Sequence, residues 1–525
     1  MILRIAFVVV ATPVLFAIPV LAEPVIPVFT DETATSGITT AYQGEWEYMV
    51  GGGVSTFDCS GDGFPEAFIS GGADPSALYL NRSTTGGPLT FTKADAAFPT
   101  GITGAYPLDI DSDGILDLVT LRVGPDLLLR GLGDCRFEDA TAAWGFDGGD
   151  AWSTAFAATW EKGQTWPTLA IGTYIDRKEE AFPWGSCTDN HLYRPTGEGY
   201  GPSIPLTPSF CALSMIFSDW NRTGQAALRV SNDREYYKAG REQLWHLDPG
   251  QPLREYTEKE GWKRLRIWGM GIASADITLD GYPDFFLTSM ADNKFQTLAT
   301  PEPGTKPVYS DLAFARGITA HRPYTGDDLK PSTAWHPQFA DVNNDGRLDL
   351  FVAKGNVAKM PDFAAADPNN LLLQNEDGTF VEVGDKAKIA SVKTGRGAQV
   401  VDFNLDGALD LVVVNRWEGA EIWRGDASLP GAWVQVRLSQ SGPNRNAIGA
   451  VIEVRRGEAV ERHEITSGGG HMSGSVGWLH FGLGATDAAE MRVIWPDGSE
   501  GPWQTLPARA FYTLSPGSEP AVWQP

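Results

Sequence analysis

A nine-residue segment that opens and closes on a carboxylate recurs along this chain, and its spacing constrains the fold more than any other feature. The clear copies run from Asp58 to Glu66, Asp109 to Asp117, Asp276 to Asp284, Asp341 to Asp349 and Asp402 to Asp410, each followed by an apolar run such as Leu411 to Val414. Two degenerate copies fill the gaps, one between Thr159 and Thr168 and one from Asp219 through Asn221, Thr223 and Gly224 to Ala227. Starts at 58, 109, about 159, 219, 276, 341 and 402 leave roughly fifty to sixty-five residues per unit, the length of one four-stranded sheet with its loops. The runs are short, β-branched or aromatic, and bounded by Gly, Pro, Asn and Asp, which excludes a helical solenoid. The expected class is all-β: a seven-bladed β-propeller over residues 23–427, a small β-rich domain over 432–515 and a tail over 516–525.

Within each clear copy, positions 1, 3 and 5 carry oxygen-bearing side chains, and a tight loop aims alternate residues at one point. These are Asp58, Ser60 and Asp62; Asp109, Asp111 and Asp113; Asp276, Thr278 and Asp280; Asp341, Asn343 and Asp345; and Asp402, Asn404 and Asp406. Gly at position 6 gives the turn, and Glu66, Asp117, Asp284, Asp349 and Asp410 add a carboxylate at position 9. Hard oxygen donors in this pattern suit Ca²⁺, so four to five structural ions are expected. An EF-hand loop starts the same way but requires Glu at position 12, where this chain has Ile69, Thr120, Leu287, Val352 and Val413. Metal-free Asp/Gly turns are the remaining alternative, and the degenerate copies are expected to bind nothing.

An aromatic-x-Asp element, as in Phe137 to Asp139 and Tyr309 to Asp311, precedes most loops, and Phe29 to Asp31 repeats it with no blade before it. That element is expected to complete the last blade, which would remove an open sheet edge. Arg4 and an apolar stretch to Leu21 read as a signal peptide over residues 1–22, with no membrane span after cleavage. The destination is then secreted or periplasmic. There, Cys187 with Cys211 would staple the excursion from Thr188 to Phe210, leaving Cys59 with Cys135. A net charge of -25 with no basic cluster argues against nucleic acid.

These repeats resemble FG-GAP/VCBS proteins, the propeller type of integrin α-chain heads. Trp268 to Gly271, Phe339 to Asn356 and Gly395 to Asp410 are similar to the repeat pattern of the cartilage acidic protein family. Asn444 to Ala450, Gly468 to Gly484 and Val493 to Gly498 resemble that family's C-terminal ASPIC/UnbV domain. The resemblance implies calcium binding and extracellular placement. Gly468 to Gly470 read as a flexible loop, His471 and His480 as loop-ordering groups, and Leu429 to Gly431 as a hinge.

No nucleophile elbow, P-loop, zinc-protease motif or dinucleotide fingerprint occurs. Trp46, Tyr106, Trp152, Trp268, Trp335, His336 and Arg396 lie a few residues before Asp loops and are expected to gather at one channel mouth, with blade packing as their alternative use. The expected function is a binding or adhesion module for an extracellular or periplasmic protein or glycan. The alternative is a carbohydrate-active enzyme, lyase-type, at the same mouth.

Overall fold

The computed structural model describes residues 23–179, 185–234, 239–249, 251 and 253–525. The signal-peptide reading falls on residues 1–22 and lies outside the described residues. The strand pairings trace seven four-stranded antiparallel units. Their innermost strands are Val54–Phe57, Ile102–Leu108, Ala151–Thr159, Ala212–Ser218, Gly269–Ala275, Ala334–Ala340 and Gly395–Val401. Each neighbours the next, and the seventh neighbours the first, so the sheets close into a ring. That arrangement is a β-propeller. Thr30–Asp31 pairs with Trp423 and Arg424 and completes the seventh blade, as the sequence led us to expect.

Beside the Asp loops runs a second repeat that the sequence reading missed. The side chain at or just before the start of the third strand accepts a backbone N–H from within two residues of the end of the second: Ser76 from Gly71, Asp126 from Arg122, Asn190 from Thr173, Glu242 from Asn232, Asn293 from Ser289 and Asn369 from Lys354. Ser153 of the third blade's inner strand also donates to Asp126, so this position locks neighbouring blades. Both expected disulfides are formed. Cys59–Cys135 joins the first blade to the second, and Cys187–Cys211 joins the third to the fourth. The segment from Thr188 to Phe210 is not an excursion, because Asn190–Tyr193 and Ile204–Leu206 within it are the outer half of the third blade.

The C-terminal part is a sandwich of two four-stranded sheets around a core of Val434, Val436, Ile452, Val454, Phe481 and Met491. The final segment is more than a tail: Ala521–Trp523 pairs with Phe511 to Thr513, and Trp523 packs on Trp478. Nor is Gly431 an open hinge, since a Cβ there would overlap the Asn344 carbonyl of the sixth Asp loop. No helix among the described residues is long and apolar enough to cross a membrane.

Candidate functional site: Asp loops, a plugged channel and a free mouth

Each Asp loop joins the first and second strands of its blade and folds the same way. The position 6 N–H bonds the position 1 carboxylate: Gly63 to Asp58 at 2.8 Å, Gly114 to Asp109 at 3.1 Å, Gly281 to Asp276 at 3.1 Å, Gly346 to Asp341 at 2.7 Å and Gly407 to Asp402 at 2.8 Å. The position 9 carboxylate accepts the position 2 N–H from Cys59, Ile110, Val342 and Phe403, and in the fifth loop the position 3 N–H from Thr278. Position 4 is left-handed at Ser112, Leu279, Asn344 and Leu405, a strain the loop tolerates because these bonds fix its path. Burial and neighbouring carboxylates push Asp117 and Asp284 up to about 8 and Asp276, Asp341 and Asp402 up to about 7. Several loop oxygens are buried with no hydrogen-bond donor among the described residues, namely Glu66 Oε1, Asp109 Oδ1, Asp276 Oδ1 and Asn404 Oδ1. Oxygens of Asp109, Asp111 and Asp117 lie within 4.8 Å of one another. Crowded buried carboxylates with orphaned oxygens form a donor set that fits a hard divalent cation.

The fourth loop, degenerate in sequence, keeps the turn: Gly224 N–H bonds Asp219 at 2.9 Å and Arg222 is left-handed. Its missing position 9 carboxylate is replaced in part by Glu464 of the C-terminal domain, which accepts the Asp219 N–H at 2.8 Å. The sandwich sits on this whole face. It reaches the first loop through Trp478, the second through Arg445, the fifth through Arg462, the sixth through His480 and the seventh through Gln435.

From that face the segment from Ser467 to Val476 enters the channel. Ser467–Gly468 pairs with Ala157 and Ala158, and Gly469 N–H bonds the Met215 carbonyl. Gly470 bridges Ile272, and His471 N–H bonds His336 Nδ1 at 3.0 Å. Ser473 Oγ accepts the Val54 N–H and Ser473 also bridges Ala105, while a Cβ on Gly397 would overlap its hydroxyl. All seven blades therefore hold this plug. The Gly triplet expected to be flexible is fixed by these backbone bonds, along a path of positive φ, 119°, 77° and 56° at Gly468, Gly469 and Gly470, that glycine takes without strain.

The plug divides the residues expected at one mouth. Tyr106 and His336 line a chamber of about 570 Å³ between plug, propeller and sandwich. Arg396 is fully buried, with its guanidinium 4.1 Å from the Trp335 ring and donating to the carbonyls of Met49, Gly395, Asn356 and Val357. Trp46, Trp152, Trp268 and Trp335 do cluster at the free mouth. Trp152 packs into Tyr174, whereas Trp268 and Trp335 line a cavity of about 200 Å³. Sequence reading missed most of that lining, which includes Met49, Met270, Met290, Met360, Tyr174 and Asp233. The signal available was that four of the chain's eight methionines lie at this end of the blades: Met49 before an inner strand, Met270 at the start of one, and Met290 and Met360 after second strands.

Residues 58–120 match the FG-GAP-like repeat, and residues 440–521 match the ASPIC and UnbV domain. Fold and matched segments together define an FG-GAP-repeat β-propeller joined to an ASPIC/UnbV domain. The chain is homologous to cartilage acidic protein 1, with 31% identity to the Xenopus tropicalis protein and 26% to the mouse protein, each over 238 residues. That stretch is 44% of this chain and 34% of each relative, so the chain spans about a third of the length of these relatives. Among solved structures, BBS1N in complex with ARL6DN aligns over 77% of this chain and 98% of that one, at 12% identity and a TM-score of 0.44. An Agrocybe aegerita lectin that recognises non-reducing terminal N-acetylglucosamine aligns over 75% and 85%, at 16% identity and a TM-score of 0.30.

Proposed function

We propose that this chain is an exported, calcium-stabilised binding module whose free channel mouth recognises a protein or glycan partner. One observation carries the reading: the two mouths are unlike. The Asp-loop mouth is covered by the sandwich and stopped by the plug, while the other carries an aromatic and methionine-lined cavity with Trp268 on its partly exposed rim. Two disulfides support an oxidising compartment, secreted or periplasmic. Calcium would be held by the position 1, 3, 5 and 9 oxygens of the five clear loops, neutralising their crowded carboxylates. At tenfold over its dissociation constant, each independent site contributes about 1.4 kcal/mol.

Calcium content and melting temperature of the mature protein, with and without chelator, test the clamp. Four or five ions and a fall of about 10 °C or more are expected; no ion and an unchanged melt would return the loops to metal-free turns. Glycan and peptide arrays probed with the wild type and with Trp268→Ala test the mouth. Capture should drop at least tenfold in the variant, and equal capture would move recognition elsewhere. The lyase alternative rests on the Tyr174 hydroxyl donating to Asp233 beside the same mouth, and release of unsaturated uronate from an acidic polysaccharide is its test.

A further inference from the structure

The free-mouth cavity has an unusual lining. Four of the eight methionines in the chain, Met49, Met270, Met290 and Met360, face one space of about 200 Å³. Methionine is flexible and polarisable, so a wall of it adapts to planar apolar groups and favours contact with aromatic rings. The floor is buried at Met49, Met270 and Trp335, while Trp268, Met360 and Asp233 are partly exposed at the rim, so the space is reachable from solvent. A cavity of 150 Å³ is large enough for benzene, and this one is larger.

A single acidic group breaks the apolar lining. Asp233 Oδ2 accepts the Tyr174 hydroxyl and lies 3.9 Å from Arg234, and its carboxylate is 13% exposed. Among the described residues the Tyr174 hydroxyl is the one hydrogen-bond donor on this carboxylate, which has about four acceptor positions. An apolar site with one acceptor that still has bonding capacity selects for a ligand that brings one donor, because an isostere without it leaves that acceptor unpaired.

We infer that this cavity binds a planar apolar group of roughly ten non-hydrogen atoms bearing one N–H or O–H donor, an indole or phenol, held by the methionine wall and Trp268 with its donor on Asp233. The inference rests on the reading of this mouth as the recognition face and adds the chemistry of what enters it. The same chemistry is offered by a free small molecule and by a tryptophan or tyrosine side chain of a partner protein.

The test uses full-length mature protein labelled with ¹³C at the methionine methyls and titrated with indole. The methyls of Met49, Met270, Met290 and Met360 should shift in a saturable manner while those of Met215, Met472 and Met491 stay in place. Benzothiophene, equal in shape but without a donor, should bind at least tenfold more weakly, and Asp233→Leu, which removes the acceptor, should cost indole a similar factor. A Gly-Gly-Trp-Gly-Gly peptide binding tenfold tighter than indole assigns the group to a partner's side chain, whereas exclusion of the peptide with indole retained assigns it to a free molecule. Shifts spread over all the methionines, or equal affinity for indole and benzothiophene, would overturn the inference. So would silver(I) moving the four methyls while indole leaves them unmoved, which would mark a thioether metal site instead. Because the Trp268→Ala array reads partner capture and this titration reads the cavity, the two readings can fail separately.

Discussion

At the centre of the ring, His336 and His471 are fully enclosed, and burial holds both imidazoles neutral, at about 4 for His336 and about 3 for His471. The groups facing them act in different directions. Arg396 and the neighbouring imidazole lower His471 further, while the His471 carbonyl, 3.3 Å from Nδ1, and Gln338 support charge on His336. A histidine whose folded value lies below its ordinary 6.5 contributes stability that is complete above pH 6.5 and is lost as pH falls toward 4. His336→Gln retains an acceptor for the His471 N–H and removes one such group. With calcium saturating throughout, denaturant titrations at pH 7 and pH 5 should show the wild type losing about 2 kcal/mol more than the variant. Equal losses would mean that His336 is not held neutral. The loop carboxylates carry the opposite sign, because raised values make cation-free loops less stable as pH climbs from about 4 to about 8, so calcium must be held constant.

At the scale of the loop, one turn serves two purposes, and two glycines separate them. Gly61 and Gly407 both sit at positive φ, 80° and 86°, but a Cβ on Gly61 meets nothing, whereas one on Gly407 would overlap the Trp433 indole of the sandwich. Gly61→Ala should therefore cost only the turn strain, about 1 kcal/mol. Gly407→Ala should cost at least twice that and loosen the sandwich, read as increased amide exchange at Trp433 and Val434; similar costs for both would show that the loop does not bear on the sandwich. The five clear loops were legible because their geometry demands particular residue types at fixed positions. The fourth was legible only as a fragment, since the carboxylate it borrows, Glu464, lies 245 residues away in sequence. The plug was misread for a related reason: three consecutive glycines signal freedom locally, and only the backbone groups of Met215, Ile272 and Ala157 remove it. Trp335 and His336 were placed together, but the sixth inner strand is irregular between Ala334 and Pro337, and there one joins the free-mouth cavity and the other the chamber beneath the sandwich.

For the whole molecule, closure decides whether seven sheets act as one body. The seventh blade takes its outer strand from the other end of the chain: Thr30 and Asp31 pair with Arg424 and Trp423, and Glu32 bonds Arg424 at 2.9 Å. Phe29 enters the core shared by the sixth and seventh blades, and Ile38 the core between the seventh and first. Removing residues 23–39 therefore strips an edge from Glu421–Arg424 and opens two cores at once, leaving an exposed strand edge that pairs readily with other chains. Burying two large apolar side chains alone is worth roughly 3–6 kcal/mol, a sizeable part of a domain's stability. The truncated protein should melt well below the full chain even in saturating calcium and should tend to self-associate, as read by scanning calorimetry with light scattering. An added peptide spanning residues 23–39 should restore part of the lost melting temperature, because the edge it vacated is intact. If the truncated chain melts like the full one, the plug and the sandwich that grips six of the seven loops already hold the ring closed, and the N-terminal strand is a cover rather than a clasp.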